Sequence, residues 1–259
     1  MAKRSPSMSG DRARFVRGSA VGAVLALLLF AWLGSRGRLD LLEWQRSGNF
    51  YDAQAESWLD GTWQVSGGIL GIERFESHGG TYMYQGPWPA VLRVPVVAVT
   101  SRFDGRLSLL SMLLGVAVAA AATTRLHWRV RRLVRGDEPV GPIDTWAAGA
   151  TTFVVAGGSA MLYEASRPWV YHEAAVWGAA WSLAAIDAAV GCVTHPTRRR
   201  FAWAALATTL ALTSRSSVGL AGAAALALIC GGNAIARLHG TRSRERGVGR
   251  VLGWARSLG

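Results

Sequence analysis

Carboxylates and arginines are the side chains in this sequence able to move a proton or hold a phosphate. Seven acids fall in one stretch: Asp40, Glu43, Asp52, Glu56, Asp60, Glu73 and Glu76. Asp52 and Glu56 are four positions apart, so on a helix they stand one turn above the other. That spacing suits a pair of acids or two oxygen ligands of a divalent cation. Arg215 lies in Ser214-Arg215-Ser216-Ser217 between two apolar blocks. A guanidinium grips phosphate through two parallel hydrogen bonds, and hydroxyls and a helix N-terminus add donors. Arg93 and Arg167 are further cations beside apolar residues, where long side chains also snorkel to an interface. Glu164, His172 and Glu173 gather near one another. No second histidine follows His172-Glu173 at Val176 or Trp177, which removes the two-histidine zinc motif and leaves a polar rim in which His172 could bind phosphate or a sugar.

Apolar blocks supply the frame for these residues: Val21 to Leu33, Leu107 to Thr124, Trp146 to Leu162, Ala174 to Val190 and Val218 to Ile235. With their flanks they approach the roughly 20 helical residues that cross a bilayer core about 30 Å thick. The fold class expected is an all-α polytopic membrane protein with about six transmembrane helices, at 16–34, 107–124, 145–163, 173–191, 201–214 and 217–235. The organisation that follows is a basic N-terminus (1–15), a first span (16–34), a structured outer loop (35–106), a five-span bundle (107–235) and a basic tail (236–259). The net charge of +12 does not mark a nucleic-acid binder, because the basic residues are dispersed among apolar spans. They read instead as topology signals. With the N-terminus inside, nineteen of the twenty-eight Lys and Arg residues fall in or beside inner segments, the excess that cytoplasmic loops carry. Both termini are therefore expected in the cytoplasm and the acid-bearing loop outside. The basic N-terminus precedes no small-residue cleavage site, so the first apolar run is expected to stay as a span. Cys192 and Cys230 fall near inner helix ends, where disulfides are rare. Asp187 is the one acid inside an expected span.

Within the outer loop, Asn49 to Gly61 reads NFYDAQAESWLDG. Its apolar positions recur at helical spacing and Gly61 can close the helix, which predicts an amphipathic helix on the membrane surface. His78-Gly79-Gly80 separates two aromatic, strand-like runs and predicts a small hairpin. Pro89 to Phe103 is apolar but short and carries Arg93 and Pro95. Were it to cross the membrane, every later loop would flip, so an interfacial or re-entrant segment is expected. A long structured loop in a helix bundle often carries function.

The stretch from Asn49 to Gly61 resembles the first outer loop of GT-C-type membrane glycosyltransferases, which use polyprenyl-phosphate sugars; Tyr51, Ala55, Leu59 and Gly61 match the aromatic, alanine, leucine and glycine of that pattern. The runs Thr81 to Pro95 and Tyr171 to Gly178 look like those of actinobacterial relatives. Two features depart from the family. Its acidic pair would fall near Ser47 and Gly48, which are not acids, and such enzymes usually carry more spans.

The resemblance implies sugar transfer to an envelope acceptor on the outer face. That chemistry needs a carboxylate to take the acceptor proton, cations to stabilise the departing lipid phosphate, and a lateral opening for the lipid. Asp52, inside the matching stretch, is the base it implies, with Glu56 as a second acid or a ligand of a divalent cation. Arg215, His172, Arg93 and Tyr51 are the expected substrate-binding residues, and a polyprenyl-phosphate sugar and membrane lipid the expected partners. Two other functions stand beside it: a non-catalytic scaffold or accessory subunit of envelope synthesis with a membrane-protein partner, and a small transporter. No internal repeat supports the transporter.

Overall fold

The computed structural model describes residues 8–45 and 48–238. Ser47, the basic residues up to Ser7 and the tail from residue 239 lie outside the described residues. The chain is mostly helical, with one two-stranded hairpin among the described residues. Among the described residues, three helices are long and apolar enough to cross a membrane: α1 (Met8–Gly34), α5 (Ser108–Arg135) and α8 (Val170–Thr194). That is the signature of a membrane protein, but it corrects the expectation of six spans. The third expected span is broken: α6 (Pro142–Gly157) ends at Gly158, and Ser159 caps a separate short α7 (Ala160–Glu164) by accepting from Met161 N–H. The 16 residues of α6 rise only about 24 Å. α9 (Arg198–Ser214) has 17 residues and begins with three arginines. α10 (Ser216–Leu238) is an apolar helix over its fully described stretch, Ser216–Ile229.

Small residues let the helices approach. α1 lies along α6, and Gly18, Gly22 and Ala26 form a four-residue ladder on its contact face. A Cβ on Gly22 would stand 2.0 Å from the Gly149 carbonyl oxygen, and one on Gly18 2.2 Å from that of Thr145. This is the small-xxx-small packing of membrane helices. The opposite face of α1 turns Val21, Val24, Leu25, Leu28 and Trp32 outward. α8 is the central helix, packed against α5, α9 and α10 and buried along most of its length. Trp177, stacked on Trp181, anchors it to α5 by donating from Nε1 to Ser111 Oγ at 2.9 Å. The main apolar core joins α1, α5, α6 and α8 through Phe30, Met112, Val116, Ala156 and Val176. α5 runs on through Arg125 to Arg135, where a basic loop was expected, and stops at Gly136, whose φ of +61° suits glycine.

The region between α1 and α5 is structured, as the sequence indicates. α2 (Phe50–Leu59) follows Asn49, and its first turn carries Asp52. The sequence predicts a surface-lying amphipathic helix, but seven of its ten residues are buried, because α4 (Trp88–Val97) packs against it. After the short α3 (Gly67–Leu70) come strands β1 (Arg74–Ser77) and β2 (Gly80–Met83), paired antiparallel with Phe75 opposite Tyr82. His78 and Gly79 both have positive φ, the geometry of a two-residue hairpin turn. The ten residues of α4 rise about 15 Å, half a bilayer core.

Candidate functional site

Three charged side chains from three elements meet at the junction of α2, α4 and α8. Arg93 of α4 stands between Asp52 of α2 and Glu173 of α8, with Nε 3.2 Å from Asp52 Oδ1 and Nη2 donating to Glu173 Oε1 at 2.7 Å. Their exposures are 3%, 1% and 0% for Arg93, Asp52 and Glu173. Local sequence explains the convergence. Asp52 belongs in the first turn of α2, where a carboxylate suits the helix dipole. Arg93 falls on the α4 face that packs against α2. Glu173 occupies the first turn of α8, beside Ser108 and Ser111 of α5.

The second oxygen of Asp52 is also held. Gly105 N–H donates to Oδ2 at 2.7 Å from the loop before α5. Gly105 has φ +73°, and a Cβ there would stand 2.7 Å from Trp44 Nε1, so both conformation and space require glycine. Burial raises the Asp52 carboxyl above the ordinary range; Arg93 and the Gly105 N–H pull it back, and nearby Asp104 pushes it further up. The contact between Asp52 Oδ1 and Arg93 Nε lacks hydrogen-bond alignment, so among the described residues those two buried atoms have no hydrogen-bond partner. Orphaned charged atoms in a dry junction are costly, and such exceptions call for an explanation such as a catalytic role.

The remaining expected residues divide into two groups. Tyr51 is inside the core with its hydroxyl 3.4 Å from the Val170 carbonyl oxygen, and burial foremost raises its phenol. Glu56 is exposed, and its carboxyl is raised by partial burial and then by Asp104, Asp52 and Asp60. Among the described residues no group of three or more His, Cys, Asp or Glu side chains is arranged to hold a metal ion.

The second group forms a polar rim around the start of α8. His172 Nδ1 lies 3.2 Å from Glu164 Oε2, and burial foremost raises that carboxyl against the pull of His172 and Arg215. Arg215, between α9 and α10, donates from Nη1 to the Tyr171 carbonyl at 3.1 Å. Among the described residues it pairs with no carboxylate in a salt bridge. Tyr84 and Tyr171 both donate to Glu73 Oε2, and these bonds hold the Glu73 carboxyl below its usual range. They tie the segment before the hairpin to α8. Arg167 stacks over Trp169 with its guanidinium carbon 4.7 Å from the ring centre.

Sequence reasoning brought Asp52, Arg93 and Tyr51 into one region but set Glu173 on the rim with His172. Adjacent helical residues point about 100° apart, so His172 faces the rim while Glu173 faces Arg93. It also missed Asp104 and Gly105, although Asp-Gly is a turn signal, and it missed the clasp of Glu73 with Tyr84 and Tyr171. Asp187 bridges helices: Arg125 Nε and Arg129 Nε donate to its two oxygens at 3.1 and 2.7 Å.

No protein-family model, curated protein or solved structure matches the chain.

Proposed function

We propose that this chain is a multi-pass cell-membrane protein that acts as a GT-C-like glycosyltransferase, or as the N-terminal part of one. In this reading it moves a sugar from a polyprenyl-phosphate donor to an envelope acceptor on the outer face, with both termini in the cytoplasm. The observation that carries the reading is the state of Asp52. It lies in the stretch that resembles the family's first outer loop, its carboxyl is raised by burial, and Oδ1 accepts no hydrogen bond. That oxygen is the one available to an acceptor hydroxyl, which reaches it only when α4 draws back from α2. Arg215, which forms no salt bridge with a carboxylate among the described residues, supplies the phosphate-facing cation, with His172 beside it.

Transfer of sugar from a polyprenyl-phosphate donor in membranes tests this. Asp52→Asn keeps the Gly105 bond and leaves the Arg93–Glu173 pair in place, so protein level is expected to hold while transfer falls by about 10²–10⁴-fold. Retained transfer removes Asp52 from the chemistry.

A second reading, a non-catalytic subunit of envelope synthesis, is favoured by one observation: Asp52, Arg93 and Glu173 are almost completely enclosed, as in an ion cluster that locks an outer loop onto a bundle. It predicts no transfer by the chain alone and a membrane protein that co-purifies after gentle solubilisation.

A further inference from the structure

The opposite end of the bundle holds a cleft that the sugar-transfer reading does not use. It has a volume of about 630 Å³ and is lined by residues from α1, α5, α9 and the loop after α8, among them Arg12, Arg125, Arg129, Arg132 and Arg200. Among the described residues no carboxylate lines it. Trp128, Val16 and Leu133 give it an apolar side.

The arginines are held in different ways, and the differences define the site. Arg125 and Arg129 spend their Nε–H groups on Asp187, which leaves the terminal nitrogens of both guanidinium groups to other acceptors. The Arg129 guanidinium lies flat against Gly191, where a Cβ would stand 3.0 Å from Cζ; glycine there makes room for it. Arg200 is steered by the carbonyls of Gly191 and His195 at 3.1 and 2.9 Å. Arg132 meets only the exposed Asp137, a surface pair of little strength. Arg12 is exposed and makes no ion pair among the described residues. Asp187, buried on α8, thus orients two cations and neutralises only one charge.

We infer that this arginine cleft is a binding site for a phosphate-bearing anion, either the headgroup of an anionic phospholipid or a soluble diphosphate. Five guanidinium groups around one space repel one another, and an anion with several oxygens relieves that repulsion through charge-assisted, paired hydrogen bonds. The apolar side formed by Val16, Leu133 and Trp128 suits the glycerol and first methylenes of a lipid. The inference stands independently of sugar transfer.

Two probes distinguish the sources. The purified chain is incubated with equal amounts of phosphatidylglycerol and phosphatidylcholine and its bound lipid counted by native mass spectrometry; sodium pyrophosphate is titrated calorimetrically. Arg12→Ala/Arg132→Ala removes two cleft cations and spares the Asp187 network, so the fold is expected to persist, checked by an unchanged melting temperature. Arg198→Ala/Arg199→Ala removes the same charge from exposed positions at the start of α9 that do not line the cleft. The expected result is one anion per chain, bound roughly tenfold more weakly in the first variant and within about twofold of the parent in the second. Selective retention of phosphatidylglycerol identifies the lipid source; saturable pyrophosphate binding that displaces it identifies the soluble one. Failure of both probes to bind at one per chain, or equal losses in the two variants, overturns the site.

Discussion

Replacing Arg93 with leucine removes the cation that stands between Asp52 and Glu173 while keeping a side chain that fills space. Asp52 and Glu173 are then two carboxylates in a dry site, each orphaned on the side Arg93 occupied. Breaking a buried ion pair by deleting one partner costs about 3–5 kcal/mol. For a chain of this size that lowers the melting midpoint on the order of 10 °C. The loss should depend on pH, and its sign follows from Asp52. Its folded carboxyl already titrates above the ordinary value because burial outweighs Arg93 and the Gly105 N–H. Without Arg93 it rises further. A carboxyl with a raised folded value keeps its full stability below its unfolded value, about 3.9, and loses stability as pH climbs through the folded one. The deficit of Arg93→Leu is therefore expected to be smallest near pH 4 and to grow as pH rises, read by thermal unfolding in detergent at a series of pH values. The triple variant Asp52→Asn/Arg93→Leu/Glu173→Gln, which carries no charge there, should recover most of the loss. A pH-independent deficit, or a triple variant as unstable as the single one, would refute the electrostatic reasoning.

Two more outcomes can be measured directly. Gly22→Ala should push α1 off α6, since its Cβ would stand 2.0 Å from the Gly149 carbonyl oxygen; a loss of about 1–3 kcal/mol is expected, visible as a lower melting temperature, whereas Gly37→Ala, at a turn outside that contact, should leave the α1–α6 packing intact when cysteine pairs across it are crosslinked. If Asp52 is the base, sugar transfer should rise with pH along a limb whose apparent pKa lies above about 3.9, because only the ionised carboxylate accepts a proton and burial lifts its titration; a limb at or below the ordinary aspartate value contradicts the assignment.

The helical periodicity of Asn49 to Gly61 and the His78-Gly79 turn were legible because both are local patterns, and α2 and the hairpin follow them. The short, proline-bearing run around Arg93 also forms a helix too short to cross the membrane. What hydropathy blocks hide is where a helix stops. Trp146 to Leu162 is continuous in apolar character, but Gly157-Gly158-Ser159 ends one helix and caps another. Long-range partners were hidden as well. Arg93 and Glu173 are eighty positions apart, and nothing in the spacing of either announces the other. Asp187 was visible as an intramembrane acid, yet its two arginine partners sit on a helix whose basic end reads, by charge alone, as a loop. The ladder of Gly18, Gly22 and Ala26 needed only attention to small residues every four positions, although their partner α6 could not be read from α1 itself.

Sugar transfer at the outer face puts the hairpin and the arginine cleft on opposite sides of the membrane. A cysteine at Glu76, exposed on β1, and another at Arg198, exposed at the start of α9, report the two ends when intact cells are treated with a membrane-impermeant thiol reagent. Labelling of Glu76→Cys in intact cells, with Arg198→Cys reacting only after lysis, is the outcome the account predicts. The reverse pattern would place Asp52 on the cytoplasmic side and contradict sugar transfer at the outer face.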